Sequence, residues 1–230
     1  MKHQTQNITA TLLIIFTGIV LTLSTQMFNS SLHSIQVSLF LEEWQQQKTK
    51  PNDLAWNTAY EAGLKAQQTY PIQDAFIEEK IGKVIQWKTF SEAIENPKAI
   101  AERKLALTAY QNQTLLTPNW PNAWFNLLDI KIELNEYDKE FYQAYSIAEQ
   151  TTKQTPNTHT KFVLINVKSW PNLNNQTKNK ALKLFIAEAA NSPKHSKDLR
   201  QLLEAYNLLM ITCIYSKASK KNTYQLCKPK

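Results

Sequence analysis

Glycine is nearly missing: three in 230 residues, at positions 18, 63 and 82, with none after Gly82. Without it there is no phosphate-cradling loop, no dinucleotide fingerprint and no G-x-S-x-G elbow. Tight β-hairpin turns, which draw on Asn-Gly and Asp-Gly, are disfavoured as well. Arginine is almost as scarce. Only Arg103 and Arg200 occur, so 24 of the 26 basic residues are lysine. Base readout and phosphate forks favour arginine, so the net charge of +7 does not describe a sequence-specific nucleic-acid binder. Two cysteines, with no histidine cluster beside them, cannot make a zinc site. These absences point to a mostly helical protein outside the familiar catalytic motif classes. The reading is not an enzyme, with no cofactor.

One long stretch lacks charge. From His3 to Leu41 there is no Asp, Glu, Lys or Arg. Its centre, Ile8 to Met27, is 20 residues, about 30 Å of helix and one hydrocarbon thickness. Lys2 precedes it and Glu42 and Glu43 follow. That asymmetry places the N-terminus inside and the remainder across the membrane. The competing reading is a cleaved signal peptide, with Thr22 and Ser24 as small residues but no A-x-A site. No cysteine follows the apolar run, which argues against a lipoprotein.

The expected layout is a short tail (1–7), a transmembrane helix (8–27), a juxtamembrane helix (28–51), a helical domain (52–216) and a basic tail (217–230). In the juxtamembrane helix the apolar positions are Leu32, Ile35, Leu39, Phe40 and Trp44. Pro51-Asn-Asp starts the next helix and Pro71 the one after; Pro97 closes a polar break before a helix from Ala99 to Leu116. A last helix from Asp198 to Ser216 would cap the domain.

A repeat emerges along these helices. Ala106, Tyr110 and Pro118 are spaced by 4 and 8; Ala144, Ala148 and Pro156 share that spacing, and so do Ala181, Phe185 and Pro193. The sets are offset by 38 and 37 residues. A small residue at a helix crossing, an apolar residue one turn on and a proline ending the segment are what the second helix of a tetratricopeptide unit requires. Pro121, Trp124 and Leu127 sit where its first helix would open. The period is longer than the usual repeat, and Leu128 stands where a small glycine is expected. The fold class is therefore all-α: one N-terminal transmembrane helix, then an irregular tetratricopeptide-like array of antiparallel helix hairpins.

Chemistry is sparse. Glu42/Glu43 and Glu78/Glu79 are read as solvated acids, since neighbours on a helix diverge by about 100°; Glu136 and Glu140 share a face but, with Asp138, lie amid polar residues at a helix–helix turn and are read as solvated too. His3, His33, His159 and His195 are not within helical reach of one another, and no metal is assigned. Cys213 and Cys227 form a disulfide if the domain lies outside the cytoplasm, and are otherwise two thiols. Trp120, between two turn prolines, is a candidate contact for a partner or a sugar ring, with Pro121 and Trp124 beside it. The Lys-rich tail (Lys217, Lys220, Lys221, Lys228 and Lys230) is a solvated terminus or a contact for lipid headgroups or an anionic polysaccharide.

Two stretches carry a resemblance: Ala66 to Lys88, and Pro118-Asn-Trp-Pro-Asn-Ala-Trp-Phe-Asn-Leu127, continuing to Phe141, with a lone Trp170 and Cys213 after. This order resembles the VpsP-type small proteins of bacterial exopolysaccharide gene clusters. The likeness covers most of residues 54–215. A Gly-Pro-Trp-Glu-Pro type segment of that family, expected near 155, reads Gln-Thr-Pro-Asn-Thr-His here. The resemblance implies an N-terminal anchor, a tetratricopeptide-like domain and a part in polysaccharide assembly or export, with no catalytic residues. The expected function is a non-catalytic scaffold of envelope polysaccharide biosynthesis at the bacterial inner membrane. Its N-terminus is cytoplasmic, its helical domain periplasmic, and it binds a partner protein. Alternatives are a binding module for an anionic polysaccharide, or a pilus or secretion assembly factor.

Overall fold

The computed structural model describes residues 2–154, 158–219, 223 and 226–228. Pro156, Lys220, Lys221 and Lys230 lie outside them. Among the described residues there are ten α-helices and no strand. The chain divides into two compact units, 1–118 and 119–230, so that a boundary falls within the span the sequence assigns to one helical domain.

The first unit begins with α1 (Lys2–Gln47). The sequence suggests a span and a separate juxtamembrane helix; the structure runs them together as one helix about 69 Å long. Nothing between residues 28 and 47 breaks it: there is no proline or glycine, and Lys48 closes it in the left-handed region at φ 52°. Residues 10–29 are all exposed. Ser30, Val37 and Trp44 then turn inward at seven-residue intervals against α2 (Asp53–Thr69) and α3 (Ala75–Lys88). Of the apolar positions the sequence marks, Trp44 is in the buried stripe and Phe40 packs beside it. Leu32, Ile35 and Leu39 point outward.

Helix α2 starts at the Asn52 cap, whose side chain accepts the Ala55 amide. Helix α3 starts at Ala75, four residues after Pro71, because the Asp74 carboxylate accepts the Phe76 and Ile77 amides. Helix α4 (Pro97–Leu116) opens on the Asn96 cap with Pro97 in its first turn. The core is Val37, Trp44, Trp56, Ala59, Ala62 and Val84, and the Trp56 indole donates to the Val84 carbonyl at 2.7 Å. Close approach is decided by glycine at one point. A methyl on Gly82 would meet the Tyr110 ring at 2.6 Å.

The second unit contains α5 (Pro121–Glu133), α6 (Lys139–Gln154), α7 (His159–Ser169), a 3-10 turn (Trp170–Asn172), α8 (Asn175–Asn191), α9 (Pro193–Ala205) and α10 (Leu209–Ser219). Helix α5 packs on α6 and α7, α7 on α8, and α8 on α9 and α10. The single last helix expected from Asp198 to Ser216 is two. The break is at Asn207, which takes φ 59° and ends α9. With so little glycine, asparagine fills the left-handed helix-end position here and at Asn135 after α5.

Candidate interaction surface

The repeat positions show where the helices meet. Ala106 and Tyr110 on α4, Ala144 and Ala148 on α6, and Ala181 and Phe185 on α8 are all buried, none more than 1% exposed. Small residues at these crossings let the backbones close up; Tyr110 and Phe185, one turn on, fill the space beside them on α4 and α8, while on α6 the second residue, Ala148, is small as well. Pro118 lies just past the end of α4, and Pro193 is the first residue of α9, with Ser192 capping between α8 and α9. Both prolines are exposed. Leu127 and Leu128 on α5 are buried.

Trp120 precedes α5 as its cap residue, with no side-chain cap bond, and is 45% exposed. Pro121 is buried in the first turn and Trp124, one turn on, is half-buried. The carbonyl of Trp120 accepts the Ala123 amide. Trp120 and Trp124 therefore share the opening turn of α5, with Trp120 the more accessible. Beside them Asn122 accepts a hydrogen bond from Lys161 of α7 at 3.0 Å.

Three groups were not legible as clusters in the sequence. The first is Lys131, whose side chain is 1% exposed at the end of α5. Its ammonium lies 2.8 Å from Glu140, 2.9 Å from Asp138 and 3.6 Å from Glu136. Burial alone would lower its pKa, but hydrogen bonds to Glu140 and Asp138 outweigh that and hold it above the usual lysine range. Burial works against the Asp138 carboxylate too, yet the Lys131 ammonium and the Phe141 amide hold it below the usual range. The acids stay in contact with water, as the sequence suggests, and are also the counter-charges of a buried cation, locking α5 to α6.

The second is Glu188, buried on α8. Its oxygens lie 3.5 Å from Nδ1 of His159 and 3.7 Å from Nδ1 of His195. Two histidines 36 positions apart meet because α7 and α9 both pack on α8. A cavity of about 110 Å³ opens alongside, lined by Thr160, Val163, Asp198 and Leu202 among others. Among the described residues no group of three or more His, Cys, Asp or Glu is arranged to hold a metal ion.

The third surrounds the cysteines. Cys213 on α10 is disulfide-bonded to Cys227, with Cα atoms 5.5 Å apart. Leu226 is fully buried in the α8–α9 core, the Ser196 hydroxyl donates to the Thr223 carbonyl, and Arg200 donates to the Lys228 carbonyl at 2.6 Å. The described part of the basic tail is thus folded onto the unit. A surface cavity of about 610 Å³ lies beside the disulfide, with Arg200, Glu204, Met210 and Lys228 in its lining. No signal in the linear sequence marks these contacts beyond the two cysteines.

No family model matches the chain, and neither a curated protein nor a solved structure matches it.

Proposed function

We propose that this chain is a membrane-anchored, non-catalytic scaffold of envelope polysaccharide biosynthesis or export. Its helices bind a partner protein on the outer side of the inner membrane. One observation carries the binding role: the same small-and-apolar pair recurs, buried, on α4, α6 and α8. In a tetratricopeptide-like reading these are the second helices of helix pairs, with α3 as the first helix in the first unit and α5 and α7 as first helices in the second. The packing of α3 on α4, α5 on α6, α7 on α8, and α5 on α7 supports that assignment. Stacked units of this kind present a surface for a peptide or a helix.

The anchor rests on α1, which is long and apolar enough to cross a membrane and leaves its apolar stretch wholly exposed. Its threonines are compatible with lipid, since Thr17, Thr22 and Thr25 bond back to carbonyls one turn earlier. The end of the first unit nearest the span supports the same reading. Ser30 of α1 bonds to Ala66 of α2, and Lys80 of α3 bonds to Ser34. The turn between α2 and α3 therefore lies beside the end of the span, and its Ile72 is exposed. The polysaccharide role rests on the resemblance of residues 54–215 to VpsP-type proteins. Deleting the gene should lower polysaccharide yield or shorten its chains; unchanged yield and length would refute the role.

A second reading, a module that binds an anionic polysaccharide, is favoured by the exposed indole of Trp120 and the lysines of the tail. It requires affinity that falls with added salt.

A further inference from the structure

Helix α1 is apolar on two opposite faces. At about 100° per residue, the buried stripe of Ser30, Val37 and Trp44 lies on one side. Phe28, Leu32, Ile35 and Leu39 lie roughly half a turn away and are 64%, 50%, 56% and 62% exposed. Their spacing of 4, 3 and 4 is the a/d spacing of a coiled coil. The stripe is narrow. Asn29, Ser31, Gln36, Ser38, Glu42 and Glu43 flank it, all polar. Only a narrow seam, not a broad core-facing face, has this width. It runs beyond the stretch Ile8–Met27 by about 18 Å, along the part of α1 whose opposite face is buried against α2 and α3.

The same 3-4 spacing continues inward through Thr25, Leu21 and Gly18. Gly63 and Gly82 each face a close neighbour, Ile81 and Tyr110, but a methyl on Gly18 would meet nothing within 4 Å. A small residue on a helix in lipid is where another helix approaches closely.

We propose that α1 pairs with α1 of a second copy, as a parallel coiled coil along Phe28, Leu32, Ile35 and Leu39. The inference rests on the reading of α1 as a membrane span. A span held in one orientation makes every copy parallel, which puts identical seams in register. Confinement to the membrane then raises the effective concentration enough for a seam of under two heptads, too short to hold on its own in water. The seam lies on the face opposite α2 and α3, so pairing leaves the core of the first unit undisturbed.

The test uses the full chain in native membranes, in a Cys213→Ser/Cys227→Ser background. Single cysteines are placed at Leu32, Ile35 and Leu39 on the seam, and at Ser31 and Gln36 on exposed flanks, then oxidised with copper phenanthroline. The expected result is disulfide dimers at the three seam positions, at least fivefold above the two flanks. Equal cross-linking at all five, or none at the seam, would overturn the proposal. Alkaline extraction of the same membranes reads the anchor separately. A chain that resists extraction but shows no seam preference refutes the dimer alone, and a chain that extracts refutes the span on which it rests. An Ile35→Lys substitution should abolish cross-linking from Leu32→Cys while the chain stays in the membrane.

Discussion

The hydroxyl of Ser30 donates to the carbonyl of Ala66 across 2.7 Å, and both residues are buried. This bond fastens α1 to α2 only a few residues beyond the apolar span. The anchor is consequently not hung from the first unit by a linker; the helix that would cross the membrane goes on to supply part of that unit's core.

A chain beginning at residue 28 should therefore keep the first unit folded, and one beginning at residue 48 should not. The longer truncation removes Val37 and Trp44, which together contribute on the order of 4–6 kcal/mol by large-to-small core substitution values. Circular dichroism and limited proteolysis of the two truncations read this directly. Equal protease resistance in both would contradict the role of α1 in the core.

Gly82→Ala should destabilise the first unit by about 1–3 kcal/mol. The added methyl would sit 2.6 Å from the Tyr110 ring, which is 1% exposed and hydrogen-bonded to Gln86, so the ring has little room to move. Gly18→Ala, facing open space, should leave the unfolding midpoint of that unit unchanged. Chemical denaturation of both variants is the measurement.

Lys131→Met should cost the second unit about 2 kcal/mol. Removing one partner of a fully buried ion pair costs about 3–5 kcal/mol, and the value here is lower because Asp138 and Glu140 keep contact with water. The wild-type pH dependence has two limbs. Asp138 titrates below its ordinary 3.8 in the folded state, so its stabilisation is present above that value and is lost as acid takes the pH through the depressed pKa. Lys131 titrates above its ordinary 10.5, so its stabilisation is complete below that value and is lost as the pH rises through the raised pKa. Both limbs should flatten in Lys131→Met, as read from unfolding midpoints across pH.

Reducing the disulfide should lower the stability of the second unit by about 3 kcal/mol, from the loop closed by a 14-residue separation. The tail would then be held by the packing of Leu226 and by hydrogen bonds, from Ser196 to the Thr223 carbonyl and from Arg200 to the Lys228 carbonyl among them. Denaturation with and without reductant, with Cys213→Ser/Cys227→Ser as the reduced control, checks it. An unchanged midpoint would mean that packing and hydrogen bonds hold the tail without the disulfide.

Local signals were legible in the sequence and long-range ones were not. Proline and capping residues mark the starts of α2 and α4, because a cap acts within one turn. The recurring alanines identify residues that end up buried on α4, α6 and α8. Proline points to a start of α3 at Pro71, whereas the helix begins at Ala75 because Asp74 is the better cap. The inward face of α1 was hidden because its residues, Ser30, Val37 and Trp44, are less apolar as a set than Leu32, Ile35 and Leu39 on the outer face. The meeting of His159, Glu188 and His195, and of Lys131 with its three acids, depends on which helices pack together, and one-dimensional spacing does not encode that.

The claim on which the scaffold reading most depends is that the helical units lie outside an anchored N-terminus. Leu54 is 78% exposed on α2 and, placed as a cysteine in the Cys213→Ser/Cys227→Ser background, reports the side directly. A membrane-impermeant maleimide should label Leu54→Cys in intact cells as fully as in lysed ones. Labelling only after lysis would put the domain in the cytoplasm and contradict the account.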